Sequence, residues 1–288
     1  RRALSLPRSC DAAWERRTAT VCTAGTIYNK EFMRANQVKQ NLRLGKLQLG
    51  TGFGQLRSPE IPRMLAAAGF QWAFIDTEHG GFDLETVQDI CRVSVMAGLC
   101  PIVRVADLQY SLVTRALDCG AQGIIFPRVE QPEALERAVS WTRFPPDGVR
   151  GYGLTAVQVD YEPATFSQII EHMNANTLVV LQIETRRALE AREELLAVPG
   201  IDAVMVGPAD LSISLGVPGE FQHPKMVEAM EAVRDSCRKH RIAPGTQTRS
   251  APLAKFWKER GMLFLGCSND TAMLYERAVE LASQIGRE

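Results

Sequence analysis

No run of about 18 apolar residues occurs in the chain, so nothing in it reads as a helix that crosses a bilayer. No CxxC pair occurs either. The seven cysteines, Cys10, Cys22, Cys91, Cys100, Cys119, Cys237 and Cys267, are odd in number and scattered. That pattern argues against a disulfide frame or a zinc knuckle and for reduced thiols in the cytosol. An excess of charge is missing as well, with 33 basic side chains against 33 acidic ones. Without one there is no long-range field to draw in nucleic acid or an anionic membrane, and a small molecule becomes the expected partner.

What is present is ordinary for a globular protein: 45% hydrophobic and 23% charged residues in a chain of 288, a length that a single α/β barrel covers. Residues 1–32 stand apart. They carry Arg1, Arg2, Arg8, Arg16 and Arg17 with little apolar periodicity, and lack the continuous apolar stretch of a secretory signal. They read as a leader or an extension of artificial origin with little fixed structure; an arginine-rich, acidic-poor transit peptide is the other reading. Met33 looks like a natural start, and 33–288 is expected to form one domain. Its first element is a helix over 33–46 with Val38, Leu42 and Leu44 among polar residues.

From Leu47 onward, short β-type runs alternate with helical patterns, the habit of βα units and a parallel sheet. Strands are expected at 47–51, 72–76, 101–105, 123–126, 177–184, 203–206, 242–246 and 263–267. Between them, apolar residues recur at three and four over 61–68, 84–97, 112–117, 132–141, 186–198, 226–240 and 251–260. Eight such units are the arithmetic of a closed barrel, although an open doubly wound sheet uses the same grammar. Two longer intervals, 128–176 and 207–241, have room for extra structure. The first holds the turn-rich Pro145, Pro146, Asp147, Gly148 and a helical pattern over 166–173, and is expected to lie over one end of the barrel.

A barrel puts its chemistry at the carboxyl ends of its strands. There the sequence offers Asp76-Thr77-Glu78-His79-Gly80-Gly81, Arg104, Gln182-Ile183-Glu184-Thr185 and Gly207-Pro208-Ala209-Asp210. Glu184 and Asp210 end neighbouring strands, so two carboxylates would meet, and like charges this close call for a cation or a proton. With no histidine or thiolate beside them they suit a hard ion such as Mg2+ or Mn2+. The plainer reading pairs Glu184 with Arg186 or Arg187 and makes Asp210 the cap of a helix beginning near Leu211. Arg104 follows an apolar run into the mouth and would hold either a substrate carboxylate or one of these acidic side chains. His79, before two glycines that let the backbone bend around a ligand, is the candidate general base. Asp118, in an apolar setting at a helix end, either orients His79 or bonds the turn at Gly120.

At these residues the chain resembles the HpcH/HpaI family of class II pyruvate aldolases. The likeness runs from about Met33 to the carboxyl end and is most specific at Phe74-Ile75-Asp76-Thr77-Glu78-His79, Val103-Arg104, Val180-Leu181-Gln182-Ile183-Glu184-Thr185 and Gly207-Pro208-Ala209-Asp210-Leu211-Ser212. The resemblance implies a (β/α)8 TIM barrel of the phosphoenolpyruvate/pyruvate-domain type. Its last helix would be exchanged between subunits of a homohexamer, and the aldehyde end of the pocket built partly by a neighbour. It implies Glu184 and Asp210 as ligands of a divalent cation (Mg2+, Mn2+ or Co2+), Arg104, Gln182 and the amides of Ala209 and Asp210 on pyruvate, and His79 with Asp118 as the acid/base pair. The implied reaction is reversible cleavage of a 4-hydroxy-2-oxo acid to pyruvate and an aldehyde, the cation lowering the energy of the enolate. Thr77 departs from the pattern, where several members have glycine, and is expected to alter the way in.

Two other functions compete. A citrate-lyase or malyl-CoA-lyase type of carbon–carbon lyase uses the same carboxylate logic on a thioester, but no basic cluster for the phosphates of coenzyme A stands out. A barrel that binds a 2-oxo acid without turning it over would have no need of a base.

Overall fold

The structure is a computed structural model and describes residues 33–154 and 159–286; the expectation for residues 1–32 lies outside them. Its elements in chain order begin α1 Gln37–Arg43, β1 Gln48–Phe53, α2 Glu60–Ala67, β2 Trp72–Asp76, α3 Leu84–Ala97, β3 Cys100–Arg104, α4 Tyr110–Asp118 and β4 Gly123–Phe126. Next come α5 Pro132–Ser140, α6 Phe166–Asn176, β5 Leu178–Ile183, α7 Arg186–Glu190, α8 Arg192–Ala197, β6 Ala203–Val206 and α9 Pro208–Ser214. The chain ends with α10 Pro224–Lys239, β7 Gly245–Thr248, α11 Ala251–Glu259, β8 Phe264–Asn269 and α12 Asp270–Ile285. All eight strands are parallel, and β8 pairs with β1 to close the barrel, so the open sheet is set aside.

Alternation along each strand makes two cores. Ile75, Val103, Ile124, Leu181, Val204 and Leu265 point outward into the cluster covered by the helices. Trp72, Phe74, Ile102, Ile125, Val180, Met205 and Phe264 fill the inside. Trp72 and Phe264 stack there with ring centroids 4.1 Å apart. Glycine is what makes room: a Cβ at Gly50 would lie 2.0 Å from Trp72 Cδ2, and one at Gly266 3.0 Å from Trp72 Cη2.

The first helix is shorter than 33–46. It begins late, at Gln37, where Asn36 accepts from the Lys39 amide at 3.0 Å as its N-cap, and it stops at Arg43. Val38 and Leu42 of α1 join the inner core, so this helix stoppers the amino end of the barrel. Lys39 is buried in that floor, 2.9 Å from Asp202 and 2.7 Å from the Thr177 carbonyl. Arg143 gives Nη2 to the same carbonyl at 3.1 Å and stands 4.0 Å from Asp202. Burial lowers the Lys39 ammonium to about 8, against the pull of Asp202. The turn-rich segment after α5 therefore packs at the amino end, away from the mouth. The single helix expected over 186–198 is two, broken at Ala191.

Candidate active site at the carboxyl ends of the strands

The residue after β5, Glu184, is only 2% exposed. Both its oxygens are held: Oε1 accepts the Arg128 amide at 2.9 Å, and Oε2 accepts from Gln182 Nε2, two residues back on the same face of the chain. Arg128 adopts a φ of 54° as it delivers that amide, a conformation uncommon outside glycine. Gly207, which follows β6, is required where it stands. A Cβ there would sit 2.7 Å from Glu184 Oε2 and 2.9 Å from Gln182 Nε2.

Burial pushes the Glu184 carboxyl above the usual carboxylate range. The charges of Glu78 and Asp210 add to that, while the Arg128 amide and the Arg104 guanidinium pull it down. Glu184 makes no salt bridge to Arg186 or Arg187; Arg187 stands 3.6 Å from Glu130 instead. Asp210 does not cap its helix either, because α9 starts at Pro208 with Gly207 as the N-cap and Asp210 lies within the first turn. Neither the surface pairing of Glu184 nor the capping by Asp210 is formed, and the Asp210 carboxylate is near enough for its charge to act on Glu184. Pro208 has no amide hydrogen, and the amides of Ala209 and Asp210 fall in the first turn, where a helix offers no carbonyl to its own N–H groups.

Arg104, the last residue of β3, lies in a cage of acid. Its Nε and Nη2 donate to the two Asp76 oxygens at 3.0 and 2.7 Å, and Nη1 is 3.1 Å from Glu78 Oε2. Its guanidinium also lies over the Phe74 ring, 4.9 Å from the centroid. The register explains the first pairing, since Asp76 and Arg104 are direct neighbours across β2 and β3. Burial works to raise the Asp76 carboxyl, but the hydrogen bond and charge of Arg104 and the amides of His79 and Glu78 bring it below its ordinary value. Two of the five guanidinium N–H groups donate to Asp76, while the approach to Glu78 is an ion pair without a hydrogen bond, Glu78 Oε2 having no hydrogen-bond partner among the described residues; three N–H groups remain for a ligand. The sequence offered a substrate anion or an acidic side chain for Arg104. The structure shows the second and leaves capacity for the first.

Asp76 and Glu78 were missed as the anchors of Arg104, although two carboxylates at alternate positions of a strand end share a face and signal a common target. Thr77 Oγ1 donates to the Arg104 carbonyl at 2.6 Å and ties β2 to β3. Gly80 is there for the backbone, not to wrap a ligand, since a Cβ would lie 2.0 Å from the Asp76 carbonyl oxygen.

His79 and Asp118 are not brought together within the chain. The His79 side chain is 65% exposed at the mouth, with Nε2 3.9 Å from Glu78 Oε1. Asp118 ends α4, which runs back from the mouth, so it lies at the amino end, where it accepts from Arg150 Nη2 at 2.7 Å.

What could hold a cation here is an oxygen set: the Glu184 and Asp210 carboxylates and Gln182 Oε1, which is buried without a hydrogen-bond partner among the described residues. No group of three or more His, Cys, Asp or Glu side chains placed for a metal occurs among the described residues, so any cation here would be held by two carboxylates and completed by other oxygens.

A family model described as HpcH/HpaI aldolase/citrate lyase matches residues 52–271. The chain belongs to that family. It is 34% identical over 256 residues to the 4-hydroxy-2-oxo-heptane-1,7-dioate aldolase of Salmonella paratyphi C, covering 88% of this chain and 95% of that protein. Among solved structures, the HpcH/HpaI aldolase from Desulfitobacterium hafniense superposes with a TM-score of 0.83 at 31% identity, over 87% of this chain and 96% of that one. The citrate synthase SbnG is similar at a TM-score of 0.77 and 26% identity, over 87% and 98%. One barrel thus carries more than one carbon–carbon chemistry, and the acceptor has to be argued from the site.

Proposed function

We propose that this chain is a class II aldolase that reversibly cleaves a 4-hydroxy-2-oxo acid into pyruvate and an aldehyde, with Glu184 and Asp210 holding Mg2+, Mn2+ or Co2+. The observation that carries the reading is the Glu184 carboxylate: buried, close enough to Asp210 and Glu78 to feel their charge, and without a salt bridge among the described residues. Relatives named as aldolases over most of the chain support it. The oxygen set fits a hard divalent cation, which when bound would polarise the oxygens of a 2-oxo acid.

The chain's own groups do the rest. Arg104, already fixed by Asp76, meets the substrate's negative charge with its remaining N–H groups and has no need to reorganise as that charge grows. Gln182 and the amides of Ala209 and Asp210 orient the 2-oxo acid. His79 takes the proton from the C4 hydroxyl as the C3–C4 bond breaks; the C4 oxygen becomes the aldehyde carbonyl and the bonding pair stays on the three-carbon fragment. A proton returned to C3 completes pyruvate. Because Asp118 lies at the far end of its own barrel, a role for it on His79 takes the Asp118 of a second copy, and the reading therefore includes a homo-oligomer, a hexamer by family resemblance.

Titration of Mn2+ into the full chain, with and without pyruvate, tests the cation. Saturable binding that pyruvate tightens, and that Glu184→Gln and Asp210→Asn each weaken by about tenfold or more, is the expected result. Unchanged affinity in both variants would count against the proposal.

A further inference from the structure

Asp270, the first residue of α12, is only 5% exposed, and it does not cap its own helix: Asn269 does that, accepting from the Ala272 amide at 2.8 Å. Asp270 reaches to the neighbouring strand end instead. Its Oδ2 accepts the amides of Gln55 and Leu56, in the loop between β1 and α2, at 3.1 and 2.8 Å, and its Oδ1 accepts that of Thr271 at 2.9 Å. A carboxylate stays buried at low cost only while such donors meet it, so the loop is held to the first turn of α12 by charge-assisted bonds. Beyond that turn α12 buries little, every residue from Leu274 to Ile285 being exposed.

The loop that Asp270 holds lies directly against the loop of His79. A Cβ at Gly80 would be 3.1 Å from the Gly54 carbonyl oxygen, and Arg57 gives Nη2 to the Gly81 carbonyl at 2.8 Å. On its other side the His79 loop is tied by Asp76 Oδ1, which accepts the Glu78 and His79 amides at 3.0 and 3.2 Å. The His79 ring makes no hydrogen bond among the described residues. Its place in the mouth is therefore set by the backbone that carries it, and a displacement of about 1 Å in a reacting group costs on the order of 100-fold in rate.

We propose that Asp270 and Arg57 are positioning residues for His79: Asp270 fixes the loop 54–57 to the first turn of α12, and Arg57 fixes residues 79–81 to that loop. With His79 as the base of the reaction proposed above, on which this rests, the seat of α12 and the placement of the base become a single adjustment.

Pyruvate release with Mn2+, and hydrogen–deuterium exchange of the segment 77–81, test this on the full chain in Asp270→Ala, Asp270→Asn, Arg57→Gln and Arg57→Lys. Asp270→Ala and Arg57→Gln should each lower kcat about tenfold or more and speed exchange at 77–81 about tenfold. KM and Mn2+ affinity should stay within about twofold of wild type, because Arg104 and Glu184 are held by other bonds. Asp270→Asn, which keeps an oxygen acceptor, and Arg57→Lys, which keeps a donor, should recover part of the loss. The two residues act in series, so Asp270→Ala combined with Arg57→Gln should cost little more than the worse single change. Thermal melts show that the variants are folded, and Arg57 is exposed, so Arg57→Gln tests the link even where loss of the buried Asp270 unfolds the chain. Wild-type kcat in Arg57→Gln, or a loss of Mn2+ affinity as large as the loss of kcat, overturns the proposal. A wild-type chain that releases no pyruvate counts against the aldolase reading itself; exchange at 77–81 then decides alone, faster in Arg57→Gln if the clasp exists and unchanged if it does not.

Discussion

Gly207→Ala puts one methyl group against the buried carboxylate. On the present backbone the new Cβ would be 2.7 Å from Glu184 Oε2, 2.9 Å from Gln182 Nε2 and 2.9 Å from Glu184 Cβ. Ordinary contacts begin near 3.5 Å, so something must move by roughly 0.5–1 Å. Neither oxygen of Glu184 can yield without giving up the Arg128 amide or Gln182, and its Cβ is fixed by the strand end. Displacement on that scale costs on the order of 100-fold in rate when the displaced group holds the reacting centre. Overpacking of a tight site costs about 1–3 kcal/mol in stability. The assay compares pyruvate release, Mn2+ affinity and guanidinium unfolding in Gly207→Ala and in Gly81→Ala, whose Cβ would meet nothing within 4 Å. Gly207→Ala should lose rate and metal affinity together, while Gly81→Ala keeps both. A Gly207→Ala enzyme that retains wild-type rate and affinity would refute the argument that Glu184 is held in one productive position.

Asp76→Asn removes the bidentate partner of Arg104 and leaves a buried charge half-paired, which should lower unfolding free energy by roughly 3 kcal/mol and depress kcat/KM as Arg104 loses its aim. Thr77→Val loses only the bond to the Arg104 carbonyl; chemical denaturation should register about 1 kcal/mol, with catalysis little changed. Lys39 gives a pH signature. Its folded value is about 8 against 10.5 for the free side chain, so below pH 8 both states are protonated and the folded state carries the full penalty. Between about pH 8 and 10.5 the unfolded chain binds the extra proton, so wild-type stability should climb relative to Lys39→Met, by up to about 3 kcal/mol. A flat difference across that window would contradict the burial argument. Finally, co-refolding inactive His79→Ala with inactive Asp118→Asn should restore some activity if the two residues meet between copies, and should restore none if Asp118 only serves Arg150.

Much of the architecture was readable because inward and outward faces alternate between short β-branched runs. The strands at 72–76, 123–126 and 203–206 have the bounds the pattern suggested. The strand expected at 242–246 is β7, Gly245–Thr248, because Ala243 makes only an isolated bridge to Ala203 before regular pairing begins. The carboxylates at the ends of β5 and β6 were legible from spacing and topology alone. The amide of Arg128 was not, since nothing in a residue type announces a left-handed φ. Asp118 is a different matter. An element that follows a strand in a barrel runs back toward the amino end, so its last residue belongs to the face opposite His79; attention to chemical type obscured a placement that the fold class already implied.

Release of pyruvate from a 4-hydroxy-2-oxo acid by the full chain, with and without Mg2+, Mn2+ or Co2+, tests the central claim most directly. Metal-dependent release that Glu184→Gln, Asp210→Asn and His79→Ala each abolish or cut severely is the predicted result. Release that is indifferent to metal and to all three substitutions, or no release from any of several such acids despite tight binding of metal and pyruvate, would contradict it.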